Sequence, residues 1–428
     1  MPARDNVHII VARYLRDNLY NKTFEAFKEE IGLEDEMIPS DHSMTLESIL
    51  EQKRLYDLAQ GIQELEISTK PEQEWHVPYP MFKTVLPVQS PESNILFVTI
   101  ASISMPTSIN DPESALSVRP CILVTSADRS LRIFDFYSLD LLKVYTHIHP
   151  SPILVLHVLN ENTILTGGMD GKLVVSNPAT GDVITQVKDH FKYLVKIAVS
   201  RDNKYLATTG YDKKVYVYTI FNAALDEEEP IAFEKIGTLT MPTNPEAVAF
   251  VNPLDASGSP AEVPQLVVSR RDSTFLYYYK LFPTLIELAR HNLNPESNSW
   301  VSFCAMDIML DPVEQKFLGI ATSSIPHMRF MVLESGDDNI IQNGNTRAPQ
   351  DAYSSSRITW RPQGSGVWCN GDDGVIRGFE VSTGKIVAEL KHHDGKVKAM
   401  YSGMVDGREV LLTGGFDKTI VLWETEQR

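Results

Sequence analysis

Three sets of side chains in this chain combine an imidazole, a hydroxyl and a carboxylate: His149, Thr166 and Asp170; His190, Thr208 and Asp212; His393, Thr413 and Asp417. By type each set is a base, a nucleophile and an orienting acid, the groups of acyl transfer. Catalysis needs one such set converging on an open pocket with donors for an oxyanion, whereas here the set recurs along the chain. Repetition argues for a structural role, and no catalytic residue is assigned. His147, His149 and His157, or His392 and His393 with Asp394, suggest a metal by residue type. Neither group has a second ligand cluster at metal-site spacing, so no metal is expected. The chain carries no GxSxG, HExxH, phosphate-binding glycine loop or GxGxxG, and no cofactor is expected.

The elements that position these residues repeat. Seven segments, 123–136, 164–177, 206–219, 266–279, 318–333, 366–381 and 410–425, each read as an apolar run, a Thr/Ser/Gly cluster, a turn residue and a second apolar run. Each predicts strand, tight turn, strand. The turn residue is Asp128, Asp170, Asp212, Asp272, Asp373 or Asp417, with Ser324 in the remaining copy. From 128 to 170 and from 170 to 212 the step is 42 residues, a spacing that predicts propeller blades rather than a helical solenoid. The fold class expected is mainly β, a seven-bladed propeller, with a small α-helical region at the N-terminus.

The last copy is similar to the WD-repeat family. His393 lies in HHDGKV before a strand, Thr413 ends the next strand, Asp417 occupies the turn and Trp423 follows on the third. In that family these positions form a hydrogen-bonded tetrad. The resemblance extends it to His149, Thr166 and Asp170, with Ser176 in the Trp position, and to His190, Thr208, Asp212 and Tyr218. The WD dipeptide itself is absent from every copy.

Composition fits a large soluble protein: 428 residues, 43% hydrophobic, a net charge of −17 and a pI near 5.1. Such acidity disfavours nonspecific binding to nucleic acid or anionic membrane, which needs a positive stripe. Cys121, Cys304 and Cys369 are odd in number and lie in or beside apolar runs, so they read as core residues in a reducing compartment. No signal peptide or membrane span is expected, and the expected location is cytoplasmic, nuclear or both.

The first eighty residues have a different pattern. Val7, Ile10, Val11, Tyr14 and Leu15 share one helical face that Asp5 or Asn6 can cap. Asn21 is placed to cap a second helix, whose Phe24, Phe27 and Ile31 share a face before Gly32 ends it. Helices this short are marginal alone, so their apolar faces need a partner, most simply a second copy of the hairpin. The segment VHIIVARYLRDNLYNKTFEAFKEEIGL resembles the LisH motif at Tyr14, Leu15, Tyr20, Thr23, Phe27 and Glu30, with Leu19 where the motif usually has Gly. The resemblance implies homodimerisation through Ile10, Tyr14, Leu15, Tyr20, Thr23 and Phe27. A further helix is expected over 43–67, where Leu55, Leu58, Ile62 and Leu65 have coiled-coil spacing. Together the first 67 residues resemble the N-terminus of the lissencephaly-type regulators of dynein.

The expected domains are therefore a hairpin (1–34), the amphipathic helix (43–67), a linker (68–80) and the propeller (81–428). The last copy reaches only its third strand, and MFKTVLPV (81–88) is the candidate strand that completes it. Stretches 105–120, 252–264 and 343–356, with the acidic run 226–230, read as surface insertions. The residues before the turn Asp are Ala127, Met169, Tyr211, Arg271, Asp372 and Phe416, and they are expected near the rim of one face. Met169, Lys192, Tyr193, Tyr211, Arg270, Arg271 and Phe416 form the candidate partner-binding face, because aromatic, Met and Arg side chains favour interfaces. The function expected is a non-catalytic, dimeric scaffold with protein partners. Alternatives are a dynein-type motor regulator, a subunit of a ubiquitin-ligase, chromatin or RNA-processing complex, and an enzyme with an unfamiliar site in the propeller channel.

Overall fold

The computed structural model describes residues 3–34, 38, 74–87, 93–108, 111–222, 231–253, 261–294, 302–336 and 339–428. The chain forms two compact units, Met1–Ser68 and Thr69–Arg428. The helix expected over 43–67 and the acidic run 226–230 lie outside the described residues.

The second unit is a WD-repeat-like seven-bladed propeller of seven four-stranded antiparallel sheets. The inner strands, in blade order, are Ile95–Ser108, Ile153–Asn160, Leu194–Val199, Pro245–Val251, Ala305–Leu310, Ile358–Trp360 and Val397–Val405. Each lies beside the inner strands of its two neighbours, and that of blade 7 closes the ring against blade 1. Blade 7 takes its outer strand from Phe82–Val85, which pairs with Ile420–Glu424, Phe82 opposite Glu424 and Val85 opposite Val421.

The apolar runs of the repeat follow from this geometry. A middle strand is covered on both faces by adjacent blades, so it reads as continuous hydrophobicity, not alternation. Leu131–Asp135 and Ile420–Glu424 are buried at every position. Each interface between blades holds its own core. Leu165 and Val175 of blade 2 meet Leu206 and Tyr216 of blade 3. Ile122 and Phe134 of blade 1 meet Leu412 and Leu422 of blade 7, with Leu86 beyond the clasp strand joining them.

Several expectations need correction. Stretch 105–120 is no loop insertion: it extends the first two strands of blade 1 into a long hairpin, Met105 opposite Ser117. Residues 343–349 belong to the outer strand of blade 5, Ile340–Pro349. Their Asn, Gly, Arg and Pro content is that of an exposed edge, where a charge or proline blocks further pairing. Nor are residues 74–80 a simple linker. Trp75 and Tyr79 pack on Trp368 of blade 6, and the Trp75 backbone N–H donates to Glu380 Oε1 at 2.8 Å. The Arg361 guanidinium, fully buried, donates to Glu409 of blade 7 at 2.9 and 2.6 Å and to the His76 carbonyl at 2.7 Å, and it lies over the Trp75 ring. One side chain thus ties the entering chain to two blades.

The first unit contains α1 (Ala3–Asp17) and α2 (Asn21–Ile31). Helix α1 begins before Asp5 and Asn6, which fall inside it, and the N-cap of α2 is Tyr20 without a side-chain cap, so Asn21 is the first helical residue rather than the cap. Gly32 ends α2 in the left-handed region, at φ 66°. Leu19 occupies the same region between the helices, at φ 63°, and is 78% exposed. Ala12, Phe24 and Ile38 form the hairpin's core, with Leu15 and Phe27 packed on it.

Candidate partner-binding face

The turn Asp residues and the loops leading into the inner strands share one end of the blades, because the start of each inner strand pairs with the end of the next strand: Leu194 opposite Gly210, Val397 opposite Gly415. In blade 2, His149 Nδ1 lies 3.1 Å from Asp170 and its Nε2 3.0 Å from Thr166 Oγ1. In blade 3, His190 stands 2.9 Å from Asp212 and 3.0 Å from Thr208. In blade 7, His393 stands 2.9 Å from both Asp417 and Thr413, and Trp423 Nε1 donates to Thr413 Oγ1 at 3.1 Å. Thr166, Thr208 and Thr413 are fully buried, so these hydroxyls present no accessible nucleophile. Burial lowers the pKa of His190 and of His393, while their Asp partners pull the other way. Burial raises Asp170 and Asp417, but the imidazoles and local amides more than offset it, and both carboxyls end below the ordinary range. In blade 3 the Tyr218 hydroxyl donates to Asp189 at 2.8 Å and also engages the Thr208 hydroxyl. Ser176 is buried in blade 2 without a side-chain partner among the described residues.

Blades 1 and 6 solve the same problem without histidine. Arg132 donates to Asp128 and Arg377 to Asp373, each at 2.6 Å, so a guanidinium four residues past the turn carboxylate replaces the imidazole. The signal was present in SADRSLR and GDDGVIR. In the turns of blades 1, 2, 3, 6 and 7 the residue after the Asp takes positive φ, as at Gly171 (75°), whereas in blade 4 Asp272 itself does (59°). A Cβ at Gly171 would lie 2.5 Å from the carbonyl oxygens of His190 and Lys192.

The rim residues occupy equivalent places. The backbone N–H groups of Ala127, Met169, Tyr211, Arg271, Ser323 and Phe416 each donate to a carbonyl of the loop entering the inner strand, at 2.8–3.0 Å. Tyr211 packs beside Tyr193, their centroids 6.2 Å apart. Lys192, Tyr193, Arg271 and Phe416 are exposed, and Met169 and Tyr211 are half-buried. Arg270 behaves differently from its neighbour: it stacks on Tyr277 within blade 4 and donates to that hydroxyl at 3.0 Å. Sequence reasoning missed three further exposed side chains on these loops and turns, Phe191 (67%), Ile325 (61%) and Tyr353 (92%). None precedes a turn Asp, so the repeat did not mark them.

Inside this rim the inner strands carry β-bulges, where the residue skipped by the pairing is Leu96, Leu154, Val195, Glu246, Met306 or Lys398. A bulge re-aims its side chains. At these positions and the next, blades 3 to 7 supply Lys196, Glu246, Asp307 and Lys398, with Arg357 just before the inner strand of blade 6. Lys196 of blade 3 is ion-paired with Asp307 of blade 5. Blade 4 lies between them in the ring, so the pair crosses the central channel. Arg357 is 3.4 Å from the same carboxylate, Arg271 Nε donates to Glu246 at 2.7 Å, and Lys398 Nζ donates to Ser355 Oγ at 2.7 Å. Burial raises Asp307, yet Lys196 and Arg357 outweigh it and hold the carboxyl below the ordinary range. Burial lowers Lys196, and burial with the charges of Arg357 and Lys196 pulls Lys398 down to about 7. Burial raises Glu246.

Among the described residues, no three His, Cys, Asp or Glu side chains converge to hold a metal ion, and no helix is long and apolar enough to cross a membrane. A stretch of 99 residues, 23% of this chain, is 28% identical to the WD repeat-containing protein 55 homolog of Drosophila yakuba, and it spans 20% of that protein's length. The profile of a family described as "UCP007778, beta-propeller domain" matches residues 113–424, and the chain belongs to that family.

Proposed function

We propose that the protein is a non-catalytic scaffold that binds protein partners through the face carrying the Asp turns and self-associates through its N-terminal hairpin. One observation carries the reading: Phe191, Tyr193, Ile325, Tyr353 and Phe416 are all exposed on the loops and turns of that one end. Large apolar side chains on exposed turns cost solvation and are what interface hot spots use. Self-association rests on the LisH resemblance and on Leu19 and Tyr20, 78% and 51% exposed at the hairpin's tip. Two linked propellers raise avidity for a paired or repeated partner by ~10²–10⁴.

The resemblance of the first 67 residues places motor regulation among the candidate pathways, beside ubiquitin-ligase, chromatin and RNA-processing assemblies. Their subunits differ, so copurification separates them. The test compares intact protein with Phe191→Asp/Phe416→Asp and with Leu288→Asp, which alters an exposed outer-strand side chain of blade 4. Loss of a reproducible set of partners in the first variant alone is expected. Equal capture by all three proteins would remove the face from the reading.

A further inference from the structure

We propose that the mouth of the central channel is an anion site that takes an acidic or phosphorylated residue of a partner polypeptide, flanked in that partner by an apolar side chain. The inference rests on the scaffold reading and names the chemistry the face would recognise.

The charge count points to an anion. Three cations, Lys196, Arg271 and Arg357, with Lys398 about half protonated near pH 7, meet two carboxylates, Glu246 and Asp307. This positive excess lies partly buried in a protein of net charge −17. Partly desolvated cations in excess of their counter-ions are costly unless a further anion completes them. Lys398 is the incomplete member: it donates to the neutral Ser355 hydroxyl, and among the described residues no carboxylate lies within ion-pairing distance of it. Across a low-dielectric mouth, an incoming anion interacts with several cations at once.

The other half of the mouth sets the flanking residue. At the positions equivalent to Glu246 and Lys398, blades 1 and 2 place the half-buried Leu96 and Leu154, backed by Phe97 and Val155, which pack into the core between blades 2 and 3. One side of the mouth is therefore charged and the other apolar, inside a rim bearing Phe191, Tyr193 and Phe416. A carboxylate or phosphoryl group beside an aromatic or aliphatic residue fits both halves. Free inorganic ions would use only the first.

The full-length protein is titrated, by fluorescence polarisation, into labelled short peptides that share a Phe and differ in the next residues: Glu-Glu, phosphoserine, Gln-Gln or Lys-Lys. A single-stranded oligonucleotide serves as a further probe. Tighter binding of the Glu-Glu or phosphoserine peptide than of Gln-Gln, by about tenfold or more and weakening with salt, is expected. The arm that binds better identifies carboxylate or phosphate as the source. Lys398→Met and Arg357→Gln should each weaken that binding about tenfold, whereas Lys143→Met, on the outer strand of blade 1, should leave it unchanged. Thermal melts establish that each variant is folded. No discrimination between acidic and neutral peptides overturns the inference, as does tighter binding of the oligonucleotide than of either peptide. If discrimination fails while Phe191→Asp/Phe416→Asp still loses its partners, the scaffold reading stands without the anion site. Peptide discrimination with partner capture indifferent to the rim would instead remove the scaffold reading.

Discussion

Lys196 and Asp307 form an ion pair between blade 3 and blade 5, across the channel and past blade 4. The two residues are 111 positions apart in the chain, and the side-by-side stacking of blades 3, 4 and 5 brings them together. The pair anchors a cluster whose net sign opposes that of the whole protein, and the cluster's energetics are measurable.

Lys398 gives the first prediction. In the folded protein burial pulls its pKa down to about 7, whereas in the unfolded chain it titrates near ~10.4. Between those values the unfolded state binds more protons, so this residue makes stability rise with pH across the window; its penalty is fully present below about 7. Lys398→Met should raise unfolding free energy by about 1–3 kcal/mol near pH ~6, with the gain fading as pH approaches ~10. Urea unfolding at several pH values checks this. A variant that is more stable and yet binds the acidic peptide less well separates a binding role from a structural one.

Arg361 gives the opposite case. Its guanidinium is fully buried and bidentate on Glu409. Arg361→Ala leaves a buried carboxylate uncompensated and frees the His76 carbonyl, a loss of about 3–5 kcal/mol. Arg361→Met with Glu409→Leu should cost much less, since no unpaired charge remains. Denaturant midpoints of the single and double variants test the coupling; equal losses would mean that the ion pair is not what fixes the 74–80 segment.

How much of this was legible in the sequence depended on whether a feature repeats. The blades were legible because each middle strand is buried on both faces and every turn but that of Ser324 reuses an Asp, leaving a periodic signal at 128, 170 and 212. The histidine sets followed from that register. The Arg132–Asp128 and Arg377–Asp373 pairs were readable in principle, four residues apart, but a histidine template passes over them. The strand at 343–349 was missed because an exposed edge strand carries polar and turn-forming residues. The channel cluster was hidden for a different reason. Its members are single charges at inner-strand bulges and in the loops beside them, spread over separate blades, and no local pattern relates position 196 to position 307.

Leu19 gives a prediction within the hairpin. A leucine at φ 63° pays a steric cost that glycine does not. Leu19→Gly should stabilise the hairpin by about 0.5–1 kcal/mol, read as slower amide exchange in α1 and α2. If Leu19 and Tyr20 lie in the self-association contact, the same change should weaken association, so exchange and molar mass should move in opposite directions.

Leu15 and Phe27 pack on Phe24 and Ala12 inside the hairpin. Leu15→Asp with Phe27→Asp should therefore unfold the hairpin and with it any self-association, while the propeller's own melting transition stays within a degree or so. Light scattering that still reports a dimer would place self-association elsewhere in the chain.

The most direct test of the scaffold account is hydrogen–deuterium exchange of the full-length protein with and without a copurified partner. The account expects new protection on the loops around Phe191–Tyr193, Tyr353 and Phe416 and at the inner-strand bulges near Lys196 and Lys398. Protection confined to the outer strands, such as Ile286–Asn292, or to the opposite ends of the blades would contradict it.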